Sequence, residues 1–130
     1  MQISKRAAIL HTALMIIVIL FQIALALGAP WGQYAMGGSF PGVYPVAMRV
    51  AAAGQALFLI FWAAIILARA GLAFARLQKM ARHLIWLFVI LSSLATLLNA
   101  ITPSGPERAI WLPVSVGLLL CNLAVAKLAQ

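Results

Sequence analysis

Residues 46–68 read VAMRVAAAGQALFLIFWAAIILA, and residues 69–82, which follow, read RAGLAFARLQKMAR. As a helix the first string is long enough to cross a hydrocarbon core about 30 Å thick, with only Arg49 and Gln55 interrupting its apolar character. The second holds Arg69, Arg76, Lys79 and Arg82 and no acidic residue. An apolar span that ends in such a cluster reads as a transmembrane helix ending on the cytoplasmic side. Three more apolar runs, 7–27, 84–101 and 109–126, complete the pattern. The expected fold is all-α: a single membrane domain over residues 1–130, built as an antiparallel four-transmembrane-helix bundle.

Composition excludes most other classes. The chain is 66% hydrophobic and 8% charged, too little polar surface to cover a water-soluble fold. A net charge of +8 raises the question of nucleic acid. The basic residues lie in short segments beside apolar runs, which is the pattern of membrane anchoring rather than of phosphate tracking, so no nucleic-acid partner is expected. One cysteine, Cys121, allows neither an intramolecular disulfide nor a cysteine metal cluster, and reads as a packing residue.

Lys5, Arg6, Arg69, Arg76, Lys79, Arg82 and Lys127 fall at the N-terminus, in the second loop and at the C-terminus. The other two loops carry Arg49 and Arg108, near the single acidic residue Glu107. Both termini are therefore expected on the cytoplasmic side of a multi-pass protein of the cell inner membrane. Met1–Arg6 is basic, as in a signal peptide, but the following apolar run exceeds the usual 7–15 residues or so, which predicts a retained first helix.

Gly28–Tyr44 forms a long outer loop rich in Gly and Pro, with Pro45 pre-setting the first turn of the second helix. Arg69–Arg82 is the inner loop, expected to be partly helical along the interface, and Thr102–Arg108 is a short outer turn. Within the spans, helical spacing places His11, Met15, Val18 and Gln22 on one stripe and Met48, Gln55, Leu59 and Trp62 on another. Ser92, Thr96 and Asn99 share a third, and Trp111, Ser115 and Asn122 a fourth. Such groups hydrogen-bond between membrane helices for about 0.6 kcal/mol each, or they line a cavity. Gln22, Gln55, Thr96, Asn99 and Ser115 all fall in the outer half, which favours a cavity, because packing alone has no preference for one leaflet.

Trp31, Tyr34, Phe40 and Tyr44 give the outer loop aromatic bodies, either as an interfacial belt or as a lid over an outward-facing pocket. Ser104-Gly105-Pro106-Glu107 matches a helix capping box, and Glu107 also suits the positive end of the helix dipole. Arg49, one turn into the second helix, either snorkels to headgroups, clamps an anionic ligand or pairs with Glu107. His11 and His83 begin spans and read as interfacial, since His83 faces away from its helix's polar stripe and a bis-histidine haem has no support. Pro113 is expected to kink the fourth helix. No nucleophile set, phosphate loop or metal cluster is present, so neither cofactor nor metal is expected.

Gly28-Ala-Pro-Trp-Gly, Gly37-Gly38, Pro41-Gly42, Pro45 and Arg49, with the later Ser104, Glu107, Arg108, Trp111 and Pro113, resemble a pattern of an uncharacterised family of small bacterial four-helix inner-membrane proteins. The resemblance covers both outer loops and the adjoining helix ends, and implies a topology but no activity. Fluoride channels, small multidrug exporters and disulfide-forming families fit less well, lacking here their filter motifs, first-span acidic residue or cysteine pairs.

Three function classes follow. The first is a protein that binds or translocates a lipid or small amphipathic ligand in an outward-facing polar pocket. Its candidate residues are Arg49, Gln55, Gln22, Asn99, Glu107, Trp111, Trp31 and Tyr34. The second is an accessory or structural subunit packing on a larger membrane partner, and the third an enzyme using Glu107 and Arg49. Membrane lipids are the expected partners, with a homo-oligomer or a larger membrane protein as the other possibility.

Overall fold

The computed structural model describes residues 2–129. Four helices account for most of them: α1 (Ile3–Ala26), α2 (Val46–Arg69), α3 (Gln78–Ile101) and α4 (Gly105–Leu128). Each has 24 residues, about 36 Å of helix, and each is long and apolar enough to cross a membrane. No strand occurs among the described residues.

Three helices start earlier than their apolar runs: α1 at Ile3, α3 at Gln78 and α4 at Gly105. Hydropathy marks only the part that lies in hydrocarbon, whereas backbone hydrogen bonding carries a helix on through the interface. The basic loop is corrected accordingly. Gln78–Arg82 belong to the first turns of α3, preceded by a single 3₁₀ turn at Ala75–Leu77, and form no separate interfacial helix.

Two glycines end the first two helices. Gly28 (φ +101°) and Gly71 (φ +77°) take left-handed conformations that a Cβ would disfavour. The chain then folds back on α1 through Gly28 N–H to Leu25 O and Ala29 N–H to Ala24 O. It repeats the arrangement on α2 through Gly71 N–H to Ala68 O and Leu72 N–H to Leu67 O. Both are Schellman motifs, which satisfy carbonyls left over at a helix end.

Around the bundle the helices run in the order α2, α1, α4, α3, and of the neighbouring pairs α2 and α3 touch least. The close approach of α1 and α4 explains Gly117: a Cβ there would lie 3.0 Å from Leu14 Cδ1. Helices α2 and α3 meet at the end nearer the chain termini, where Trp62 stacks on Phe88 at 4.7 Å and Phe58 and Phe61 meet Phe88 edge-on. Ile65, Ile66, Ile85, Phe88 and Val125 are fully buried there. Toward the other end both helices expose the flanks they would otherwise share, with Ala51 and Gln55 on α2 and Ala95 on α3 open.

Pro113 lies inside α4, which continues through it to Leu128. Its missing N–H leaves the Ala109 carbonyl without its usual intrahelical donor.

Candidate functional site

Polar side chains inside the bundle pair with one another. Asn99 Nδ2 donates to Ser115 Oγ at 2.6 Å, and Asn122 Nδ2 donates to Ser92 Oγ at 2.6 Å. The two rungs lie seven residues apart on both α3 and α4, two helical turns, so one stripe of each helix carries both. Asn122 does more. Its Oδ1 accepts from Trp62 Nε1 at 3.2 Å, and its Nδ2 also reaches the Leu118 carbonyl at 2.9 Å. One fully buried amide thus ties α2, α3 and α4 together.

His11 completes this centre from α1. It is fully buried, its ring 6.4 Å from that of Trp62, and neither nitrogen has a hydrogen-bond partner among the described residues. The interfacial assignment of His11 is therefore corrected. Counted from residue 7 it stood one turn into its span, but α1 starts at Ile3 and places it about 12 Å along the helix. His83 is exposed, as expected.

The segment between α1 and α2 is a folded cap tied to the start of α4. Gly32 N–H donates to Gly42 O at 2.8 Å and Gly42 N–H to Gln33 Oε1 at 3.3 Å, which closes the loop on itself. Ser104 Oγ donates to the Gln33 carbonyl at 3.0 Å, and Trp111 Nε1 to the Tyr34 carbonyl at 2.8 Å. Tyr44 is buried beneath this cap, packed with Leu25 and Ala52. Loss of solvent raises its phenol pKa above the usual value, and the negative charge of Glu107 adds to the rise.

Half of the capping box forms. Ser104 Oγ accepts from Glu107 N–H at 3.3 Å, but the return contact runs through a third residue. Ser104 N–H donates to Thr102 Oγ1 at 3.3 Å, and Thr102 Oγ1 donates to Glu107 Oε2 at 2.9 Å. Glu107 is buried, so this hydroxyl replaces water for its carboxylate.

Arg49 points the other way. Its Nε donates to the Ala26 carbonyl at 2.9 Å, and its guanidinium lies over Gly28, where a Cβ would sit 3.5 Å from Nη2. It neutralises the negative end of α1 and satisfies a carbonyl that the Schellman motif leaves free. Arg49 and Glu107 are therefore engaged separately. Arg108 is likewise turned to backbone, donating from Nη2 to the Thr102 carbonyl at 2.6 Å.

A groove of about 500 Å³ opens between α1 and α4 beneath the cap. Ile17, Leu20, Phe21 and Ala24 form one wall, Ile110 and Trp111 the other, and Trp31 and Tyr34 the roof. Phe21 stacks with Trp31 at 6.5 Å and tilts against Trp111 at 4.7 Å, so three aromatic rings fix its shape. A smaller groove of about 280 Å³, with Arg6 and Cys121 among its lining residues, lies beyond the Leu14–Gly117 contact. The two helices touch at that contact and part on either side.

Trp31, Tyr34 and Trp111 therefore come together on one groove. Asn99 is paired with Ser115, Glu107 with Thr102 and Arg49 with Ala26. Gln22 is half-buried on α1, and Gln55 is exposed on the flank of α2. Sequence reading passed over Phe21, which reads as one more apolar residue in a span, and the centre made by His11, Trp62, Ser92 and Asn122. Their stripes were visible, but their shared level depends on helix offsets that spacing does not carry. No group of three or more possible metal ligands occurs among the described residues. Comparison with known proteins returned no matching family model, no matching curated protein and no matching solved structure.

Proposed function

We propose that this chain is a membrane-embedded binding protein whose α1/α4 groove, under the aromatic cap, takes the apolar part of a lipid or small amphipathic ligand. The observation that carries the reading is the union of Phe21, Trp31, Tyr34 and Trp111 on one open groove of about 500 Å³. Lipid chains are flexible, and a groove whose walls are already fixed by stacked rings and by the Trp111–Tyr34 and Ser104–Gln33 bonds holds one at a lower ordering cost. Recognition is by shape and close packing against the ring faces, because a chain that enters from the bilayer exchanges one apolar surrounding for another.

Helices alternate in direction, as the pairs Ser92–Asn122 and Asn99–Ser115, and likewise His11–Trp62 and Ala26–Arg49, suggest by their opposite order along the chain. Arg6, Arg76, Lys79, Arg82 and Lys127 are exposed at the end opposite the cap, which favours both termini on the cytoplasmic side and the cap on the outer side of the inner membrane. The groove then opens to the outer leaflet.

The test is native mass spectrometry of the protein released from mild detergent, wild type beside Ala24→Trp, which fills the groove from its α1 wall. A lipid or amphiphile that stays on the wild type and leaves the variant supports the groove. Equal retention by both, with both folded, overturns it.

A further inference from the structure

We infer that the smaller α1/α4 groove, at the end of the bundle opposite the cap, holds an anionic phospholipid, its headgroup phosphate on Arg6 and one acyl chain between the helices. The site is separate from the groove under the cap, because the Leu14–Gly117 contact stands between them.

Charge is the first observation. Arg6 lines the groove, is exposed, and makes no hydrogen bond or ion pair among the described residues. Arg49, Arg69 and Arg108 differ from it, each donating to a backbone carbonyl. The single acidic side chain, Glu107, is buried at the cap end and bonded to Thr102. Lys127 adds a second exposed cation, seven residues past Leu120 and so on the same side of α4. Counted from the Leu14–Gly117 contact, Arg6 lies about 12 Å along α1 and Lys127 about 15 Å along α4, so both stand at one end of the groove.

Shape is the second. Ala7, Leu10, Leu120 and Ala124 help to wall about 280 Å³, and Leu10 and Leu120 are both exposed to the bilayer. The rise of about 12 Å from Arg6 to Leu14 covers most of the ~15 Å of hydrocarbon in one leaflet. A guanidinium at the interface, with an apolar slot leading inward from it, matches a phospholipid in order and in length.

Together they name the occupant. A soluble anion would use the cations alone, whereas a phospholipid also gains close packing in the slot. Arginine grips phosphate with a planar fork, and basic pockets between transmembrane helices hold anionic headgroups. A zwitterionic headgroup would bring its own cation to an end that already carries Lys5, Arg6 and Lys127. An anionic one brings none, so it is preferred.

Native mass spectrometry tests this on the full chain released from bilayers of equal parts phosphatidylglycerol and phosphatidylcholine with the same acyl chains. Wild type is expected to keep phosphatidylglycerol over phosphatidylcholine by about fivefold. Arg6→Gln should bring that ratio near one, as should Ala124→Trp, which fills the groove from its α4 wall. Arg76→Gln removes the same charge from the α2–α3 connection, across the bundle, and should leave the ratio near wild type. Ala24→Trp, in the groove under the cap, should leave it too, so the two grooves succeed or fail separately. Arg6 and Arg76 are both exposed, so that pair decides the matter even where Ala124→Trp does not fold. A wild-type ratio near one, an equal fall in Arg6→Gln and Arg76→Gln, or an unchanged ratio in folded Ala124→Trp would each overturn the site.

Discussion

Arg49 Nε lies 2.9 Å from the carbonyl oxygen of Ala26, joining the first turn of α2 to the last residue of α1. A cation at a helix C-terminus is worth about 0.3–1 kcal/mol at the surface and about 2 kcal/mol when partly buried. Arg49→Ala is therefore expected to lower stability in micelles by about 1–2 kcal/mol, and Arg49→Lys to recover part of the loss. Denaturation by a graded mixture of detergents measures both. Unchanged stability together with a lost lipid adduct would make Arg49 a ligand clamp instead of a helix cap.

Asn122 should matter more than any other polar side chain of the bundle. Asn122→Ala leaves the Trp62 indole N–H and the Ser92 hydroxyl without their partner in a buried site. Removing one partner of a buried pair costs about 1–3 kcal/mol, somewhat less in a membrane, where the unfolded reference also finds partners. A double-mutant cycle of Ser92→Ala with Asn122→Ala is expected to return a coupling of about 1 kcal/mol. The same cycle on Asn99 and Ser115 should return less, because Asn99 is only half-buried. Equal couplings would mean that burial does not set the strength of these rungs.

The four spans were legible because hydrocarbon imposes its thickness on sequence directly. The polar stripes were legible too, since side-chain direction along a helix follows from its period. Which stripe meets which was not. Gln55 sits within a turn of the buried positions Ala52, Ala56 and Leu59, yet α3 does not cover it at that level. Spacing along one helix says nothing about where its neighbour diverges. Arg49 and Glu107 show the same limit. Each had several possible partners in sequence, and only the placement of helix ends brings Ala26 to one and Thr102 to the other.

Gly32 is held by close contact. A Cβ at this position would lie 1.8 Å from the Phe40 carbonyl oxygen and 2.8 Å from that of Gly42, both backbone atoms that cannot turn aside. Gly32→Ala is expected to open the cap, break the Gly32–Gly42 hydrogen bond and free Trp31 from its stack on Phe21. Gly105→Ala is the control, since a Cβ there meets nothing within 4 Å. Limited proteolysis in the loop and the tryptophan emission maximum should both change in Gly32→Ala and stay as in wild type in Gly105→Ala. A protected loop in Gly32→Ala would show that the cap does not depend on this contact.

Tyr44 and Glu107 link the cap to pH. Burial and the nearby carboxylate both favour the neutral phenol, so in the folded protein Tyr44 holds its proton more tightly than a free tyrosine does. A folded pKa above the unfolded value contributes stability that is complete below about pH 10 and is lost as pH rises through the folded value. The cap should therefore loosen in strong alkali rather than in acid, as far as this residue is concerned. Absorbance at the phenolate band reads the ionisation directly in Tyr34→Phe, which leaves Tyr44 as the one tyrosine. Its midpoint is expected above that of free tyrosine, and Glu107→Gln should move it down without returning it fully, because loss of solvent is the larger cause. A midpoint at the free value would mean that water reaches Tyr44 and that the cap is open in solution.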